Sequence, residues 1–268
     1  MIIFAPSKIN IGLRVLDKRP DGYHNLDSIF FPIPLNDILE ITKSNTFKLK
    51  ISGLSVGGNQ KDNLVYKAFD LMRRKHHIGN VSIHLHKIIP MGAGLGGGSS
   101  DASSILIGIN KLFELGLTQN ELADYAAELG ADCPFFIFNK AVRATGIGIK
   151  FQDIKIDLTA KYLVLIKPEL HISTAEAYDG VYLEGADAAL NMDILDDIDK
   201  WKSNYSNSFE KHLFAKYPLL NSLKQSLYSQ GAVYASMSGS GSTIYGLFED
   251  KPILHNEWKQ YFTKIIKL

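Results

Sequence analysis

Between Pro90 and Ala102 the chain reads Pro-Met-Gly-Ala-Gly-Leu-Gly-Gly-Gly-Ser-Ser-Asp-Ala, and five of the seven residues from Gly92 to Gly98 are glycine. The tract lies between an alternating, strand-like run (Val81 to Ile88) and a helical pattern that carries Ala102, Ile105, Leu106, Ile109 and Leu112 on its inward face. Glycine lets consecutive backbone N–H groups converge on one point, and the helix that follows adds unpaired first-turn donors and the positive end of its dipole. The tract therefore reads as a cradle for a polyphosphate. Its bland alternative is a flexible linker, and Leu95 at its centre, with ordered elements on both sides, argues against that.

Two better-known glycine motifs compete for the stretch. Gly92-x-Gly94-x-x-Gly97 satisfies the dinucleotide fingerprint literally, but Lys87 and Pro90 intervene before the glycines and no regular strand–helix alternation follows. A nucleotide-triphosphate P-loop needs Gly-Lys-Ser/Thr at its end, and Gly97-Gly98-Ser99 has no lysine.

With 268 residues, 46% of them hydrophobic and 21% charged, the chain can bury a large core as one large or two moderate domains. A net charge of +1 on dispersed lysines and arginines provides no footprint for nucleic acid or an anionic membrane. The lone Cys133 excludes an internal disulfide and a multi-cysteine metal site. The Met-Ile-Ile-Phe-Ala-Pro start lacks the basic residues and long apolar core expected of a signal peptide, and no apolar run reaches membrane-spanning length. The expected location is the cytoplasm.

In chain order, Ser7 to Val15 alternates as a strand, with Lys8, Asn10, Gly12 and Arg14 sharing the face opposite Ile9, Ile11, Leu13 and Val15. That polar face is either solvated or part of a site. Arg19-Pro20-Asp21-Gly22 has turn chemistry and delivers Tyr23 and His24, which either hold a ring or simply start the next strand. Short strands are expected at Ile29 to Ile33, Ile38 to Thr42 and Phe47 to Ser52, with prolines marking edges or bends. Asp62-Asn63 can cap a helix that ends near His77-Ile78-Gly79. His84 and His86 share a strand face without a third ligand at suitable spacing, so no metal is assigned to them.

After the glycines, Ser99, Ser100 and Asp101 stand at the start of the helix, where a serine caps it or binds phosphate and magnesium. Thr118 and Glu121 form a capping box for a second helix that stops at Gly130. Asp132 follows, in front of Cys133-Pro134-Phe135-Phe136, as a partly enclosed carboxylate that either caps a short helix or has another partner. Strand-like runs at Val142 to Phe151 and Tyr162 to Ile166 lead into a mostly helical second half, where Ser173 and Glu176 form another capping box that carries Tyr178. Ala232 to Met237, Ser238-Gly239-Ser240-Gly241-Ser242 and Thr243 to Phe248 read as strand, tight loop, strand, the loop being a plain hairpin or an opening that admits a ligand close to the backbone. A final amphipathic helix is expected over Ile253 to Ile266.

The Pro90–Ala102 tract resembles the ATP loop of the galactokinase, homoserine kinase, mevalonate kinase and phosphomevalonate kinase (GHMP) superfamily. Ala5-Pro6-Ser7-Lys8-Ile9-Asn10, Arg19 to His24 and Gly130 to Phe136 are similar to the branch of it that acts on a cytidyl-diphosphate-linked methylerythritol. The resemblance implies a two-domain α+β fold (1–155 and 156–268), mixed sheets covered by helices and an active site in the cleft between domains. It further implies transfer of the ATP γ-phosphoryl group to the C2 hydroxyl of the methylerythritol moiety, a step of the non-mevalonate route to isoprenoid precursors. Lys8 and Asp132 would be catalytic. Pro90, Met91, Gly92, Ala93, Gly94, Leu95, Gly96, Gly97, Gly98, Ser99 and Ser100 would hold the ATP phosphates, with Mg2+ near Ser99 or Ser100 and with Asn63 and Lys87 toward the nucleoside. Asn10, Thr174, Tyr23, His24 and Tyr178 would bind the acceptor, with the two tyrosines stacking on cytosine and His24 hydrogen-bonding to it. The chain is somewhat short for such an enzyme, which implies trimmed loops in its second half. Its partners would be small molecules, with no nucleic acid and no membrane, and the chain a monomer or weak homodimer. A kinase of another small alcohol, a catalytically idle nucleotide-binding relative and, on the literal fingerprint, a nicotinamide-dependent oxidoreductase are the competing readings.

Overall fold

The computed structural model describes residues 1–185 and 188–268. Two compact units divide the chain, one made of Met1–Lys8, Pro34–Met91 and Gly96–Lys140, the other of Ile9–Ile33, Gly92–Leu95 and Ala141–Leu268. The first two strands, β1 (Ile2–Lys18) and β2 (His24–Lys43), each contribute to both units. Sequence spacing suggested separate short strands here, but β2 is continuous. Pro32 and Pro34 fall between the stretch that pairs with one neighbour (Leu26 to Phe30) and the stretch that pairs with another (Ile38 to Lys43), so their missing N–H groups cost neither of those ladders a bond.

In the first unit, β3 (Lys48–Gly53) is followed by α1 (Leu64–His76) and β4 (Val81–Lys87). β4 pairs antiparallel with β2, Ile38 opposite His86, and parallel with β3, Lys48 opposite Ser82. Three helices complete the unit: α2 (Gly97–Leu112), α3 (Gln119–Ala127) and α4 (Cys133–Phe138). Their apolar faces and those of α1 and the strands close over a core that includes Leu39, Ile83, Phe69, Ile105, Ile109 and Ile137. The caps follow the sequence: Asn63 accepts from the Val65 amide, and Thr118 and Glu121 form the expected box. His84 and His86 lie on the outer part of β4, both within hydrogen-bond distance of the Ser52 hydroxyl.

In the second unit, β5 (Val142–Gly146) pairs with the start of β2 and with β6 (Lys150–Asp153). β7 (Tyr162–Lys167), the helices α5 (Thr174–Asp179), α6 (Trp201–Asn204), α7 (Glu210–Lys216) and α8 (Pro218–Ser229), then β8 (Tyr234–Met237), β9 (Ile244–Phe248) and β10 (Phe262–Lys267) follow. Their sheet runs β10-β7-β9-β8, antiparallel throughout. Its core gathers Val164, Ile166, Leu213, Leu227, Met237 and Trp258. The expected helix over Ile253 to Ile266 is replaced by a 3-10 turn (Asn256–Gln260) and β10. Phe262 to Lys267 pair residue for residue with Lys167 to Tyr162, and this long-range ladder overrides the local helical spacing. The second half is accordingly a mixed sheet-and-helix unit rather than mostly helical.

Candidate active site

The chemistry-bearing residues of the first unit converge at the start of α2. Gly96 takes the N-cap position with φ 72°, and no side chain caps the helix, so its first-turn amides stay available to an anion. A Cβ on Gly96 would stand 2.6 Å from Cζ of Phe136 and 3.3 Å from Cγ of Lys8, so glycine is required there by space as well as by φ. Neither Ser99 nor Ser100 caps the helix. Ser100 is fully buried and its hydroxyl has no partner among the described residues, while Ser99 is half-buried. An uncapped helix start with an orphan hydroxyl and a half-exposed one suits a polyphosphate and the cation that accompanies it.

Lys8 and Asp132 meet beside Gly96. Nζ of Lys8 is 3.7 Å from Oδ2 of Asp132, and the side chains are 5% and 39% exposed. The open question of the Lys8 face is thereby settled: Lys8 and Asn10 are both buried, not solvated. Burial pushes the Lys8 ammonium below the usual lysine range, and the Asp132 carboxylate opposes that shift. Asp132 occupies the N-cap position of α4, with Pro134 in the first turn, yet its side chain makes no capping hydrogen bond. Its carboxylate is left facing Lys8 and solvent.

Lys87 and Asn63 line a cavity of about 150 Å³ with Leu64, Met91, Gly98 and Asp101. Lys87 itself is buried and held by two carboxyls, Asp101 at the helix start and Asp37, which sequence reasoning did not single out: its ammonium donates to Oδ2 of Asp37 and, at 2.8 Å, to Oδ2 of Asp101. Asp37 also accepts from the backbone amides of Ile88 and Ile89. Two carboxyls share one ammonium, and burial pushes the Asp101 carboxyl up to about 8, with Lys87 opposing the shift and Asp37 reinforcing it.

In the second unit, Gly92–Leu95 packs on the small-residue loop that follows β8. The hydroxyl of Ser238 donates to the Gly94 carbonyl at 2.8 Å, and a Cβ on Gly94, at φ 74°, would fall 1.9 Å from the Ser238 carbonyl oxygen. The small residues of that loop admit the Gly94 backbone. Leu95 is buried, which anchors the tract and removes the linker reading. Asn10 donates through Nδ2 to the Ser28 hydroxyl at 2.9 Å, and its own carbonyl accepts from Tyr245 at 2.6 Å.

Arg19 to Tyr23 forms a tight hairpin turn, with the Arg19 amide donating to the Tyr23 carbonyl and the Arg19 side chain paired to Asp21. Tyr23 is 62% exposed. His24, rather than Tyr23, covers the Tyr178 ring, stacked at 4.8 Å and 23°, while Phe209 meets Tyr178 edge-on. Desolvation lowers the His24 pKa, which favours a neutral imidazole on that ring. Thr174 is exposed at the first position of α5, whose Ser173 cap accepts from the Glu176 amide. The Glu176 carboxylate does not complete the box; it accepts from Lys216 and Tyr217 instead.

Two family descriptions match the chain, "GHMP kinases N terminal domain" over residues 63–140 and "GHMP kinases C terminal" over residues 190–263. The same architecture occurs in mevalonate kinase from Methanococcus jannaschii (TM-score 0.70, 16% identity, 99% of this chain and 96% of that one), a likeness of fold. The fold, the uncapped glycine-led helix and these matches define a GHMP kinase. A crystal structure of 4-(cytidine 5'-diphospho)-2C-methyl-D-erythritol kinase is similar at TM-score 0.80 and 32% identity, over 94% of this chain and 91% of that one. The 4-diphosphocytidyl-2-C-methyl-D-erythritol kinase of Bacteroides thetaiotaomicron is 44% identical over 96% of each chain, and that of Bacteroides fragilis strain YCH46 is 47% identical over 92% of each. The chain belongs to the 4-diphosphocytidyl-2-C-methyl-D-erythritol kinase family. Coverage is equal in both directions for these two relatives, so the chain is not short beside them. No described helix is long and apolar enough to cross a membrane.

Proposed function

We propose that this chain transfers the γ-phosphoryl group of ATP to the C2 hydroxyl of 4-diphosphocytidyl-2-C-methyl-D-erythritol, giving the 2-phosphate and ADP in the non-mevalonate route to isoprenoid precursors. The observation that carries the reading is the Lys8–Asp132 pair, whose lysine stands against Gly96 at the uncapped start of α2. A carboxylate cannot ionise an alcohol outright, but Asp132 can orient the hydroxyl and take its proton as the new P–O bond forms. The bond from Pγ to the β–γ bridging oxygen breaks at the same centre, and its electron pair leaves on ADP. Lys8 holds positive charge beside Asp132, which favours its ionised form and offsets charge gathering on the transferring group.

The residues from Pro90 to Ser100 bind the phosphates chiefly through backbone N–H groups, and Asn63 and Lys87 approach the nucleoside. Magnesium, which neutralises the phosphates when bound, would be held with ATP near Ser99 or Ser100. On the acceptor side, Asn10 and Thr174 contact substrate, and Tyr23, His24 and Tyr178 recognise cytosine; the His24–Tyr178 stack favours a site in which the base takes the place of, or stacks upon, the imidazole. The same reading divides the chain into kinase domains 1–155 and 156–268, which limited proteolysis tests. The same reading makes the chain a cytoplasmic monomer or weak homodimer, whose oligomeric state light scattering checks, and dispersed charge offers nucleic acid no footprint.

The deciding experiment measures ATP consumption with magnesium, offering 4-diphosphocytidyl-2-C-methyl-D-erythritol, mevalonate, homoserine and galactose in parallel. Turnover with the cytidyl compound alone is expected. Turnover with another alcohol would overturn the acceptor assignment, and none with any of them would overturn the kinase reading.

A further inference from the structure

The ladder between β2 and β4 ends at Ile38 opposite His86, one residue before Asp37 and Lys87. Beyond that point the backbone of residues 88 and 89 has no strand partner in the ladder, and the Asp37 side chain takes over from it. Oδ1 of Asp37 accepts from the amides of both Ile88 and Ile89, the latter at 2.9 Å, and Pro90 follows with no amide to satisfy. Oδ2 accepts from Lys87, whose ammonium continues to Oδ2 of Asp101 on the second turn of α2. A Cβ on Gly97 would lie 3.3 Å from that same ammonium, so the cluster supports the first residue of the helix from below. Asp37 is fully buried and Lys87 and Asp101 nearly so.

A buried ion cluster is a poor source of net stability, because desolvation of the charges cancels most of their attraction. Its use lies in geometry. Here one carboxylate turns the chain off β4 and, through Lys87, fixes the helix that opens the phosphate cradle and one wall of the cavity lined by Asn63, Lys87 and Asp101. We propose that Asp37 is a positioning residue for the phosphoryl donor, acting through the Ile88–Ile89 backbone and through Lys87 without touching ATP itself. The proposal rests on the kinase reading above.

The test is steady-state kinetics of Asp37→Asn and Asp37→Glu, each varied separately in ATP and in acceptor. Asparagine keeps the size but loses the charge on Lys87. Glutamate keeps the charge, but its longer stem moves the oxygen off the two amides. Both are expected to raise the KM for ATP about tenfold, the scale of one lost charge-assisted hydrogen bond, while the acceptor KM changes by less than about twofold. KM does not depend on how much of the sample is folded, so partial unfolding lowers apparent kcat alone. An ATP KM within about twofold of the unsubstituted protein in both variants, with only kcat or Tm reduced, would reduce Asp37 to a structural role and sink the proposal. If the unsubstituted protein turns over no ATP with any acceptor, the kinase reading itself falls, and the donor-positioning role falls with it.

Discussion

The first unit holds two lysine–carboxylate sites of opposite character. Around Lys87 the carboxylates of Asp37 and Asp101 are buried, their bonds to the ammonium are direct, and Asp37 takes up two further backbone donors. At Lys8 the partner Asp132 is 39% exposed, stands 3.7 Å away and declines the capping bond its position offers. A buried ammonium already held by two carboxyls chiefly fixes the elements that carry them. An open carboxylate beside a buried cation can accept a hydroxyl proton and return it to water.

The sharpest way to break this contrast is Asp132→Asn. Turnover is expected to fall about 10²–10⁴-fold, the range of a lost general base, while the melting temperature stays close to that of the unsubstituted protein because the half-exposed side chain caps nothing. Single-turnover kinetics with a thermal melt on the same sample measures both. Lys8→Met is expected to lose turnover by about 10²-fold and to leave the fold intact, since it removes a buried charge while its partner keeps access to water. If either variant unfolds in proportion to its loss of activity, the open pair is structural after all and the contrast disappears.

Much of this contrast was legible in the sequence, though unevenly. The glycine tract, the caps at Asn63 and Thr118, and Lys8 and Asp132 all lie within short motifs whose chemistry is local. The buried cluster was not legible, because Asp37 meets Lys87 across 50 residues and no local pattern announces that meeting. The same limit hid β10, whose residues are helical by spacing and extended only because β7 offers them an edge. It also hid the stacking of His24 on Tyr178, which depends on where two distant elements of the second unit bring their rings. Gly94 lies between these cases. Its identity was plain, but the reason for it, Ser238 pressed against its α-carbon, belongs to the fold. Gly94→Ala is expected to cost about 2 kcal/mol or more, from a left-handed φ and a Cβ 1.9 Å from a carbonyl oxygen, and to lower the melting temperature by several degrees. A melting temperature within one degree of the unsubstituted protein would show that the 238–242 loop yields easily.

A pH series separates the two sites. Asp101 keeps its proton in the folded protein up to about pH 8, whereas in the unfolded chain a carboxyl ordinarily loses it near pH ~4. Between those values the folded state binds more protons than the unfolded one, so the contribution of Asp101 is complete below the lower pKa and declines as pH rises through the upper one. Above it the contribution stays flat. Asp101→Asn removes this titration while leaving an amide oxygen to accept from Lys87. The melting temperature of the variant relative to the unsubstituted protein is therefore expected to climb steadily from pH 5 to pH 8 and then level off. Lys8→Met offers the comparison at the open pair, where burial shifts the lysine downward. Thermal melts at half-unit pH steps decide the matter. A flat difference for Asp101→Asn would mean that Lys87 offsets the burial of Asp101 fully and that this carboxyl is ionised throughout the range.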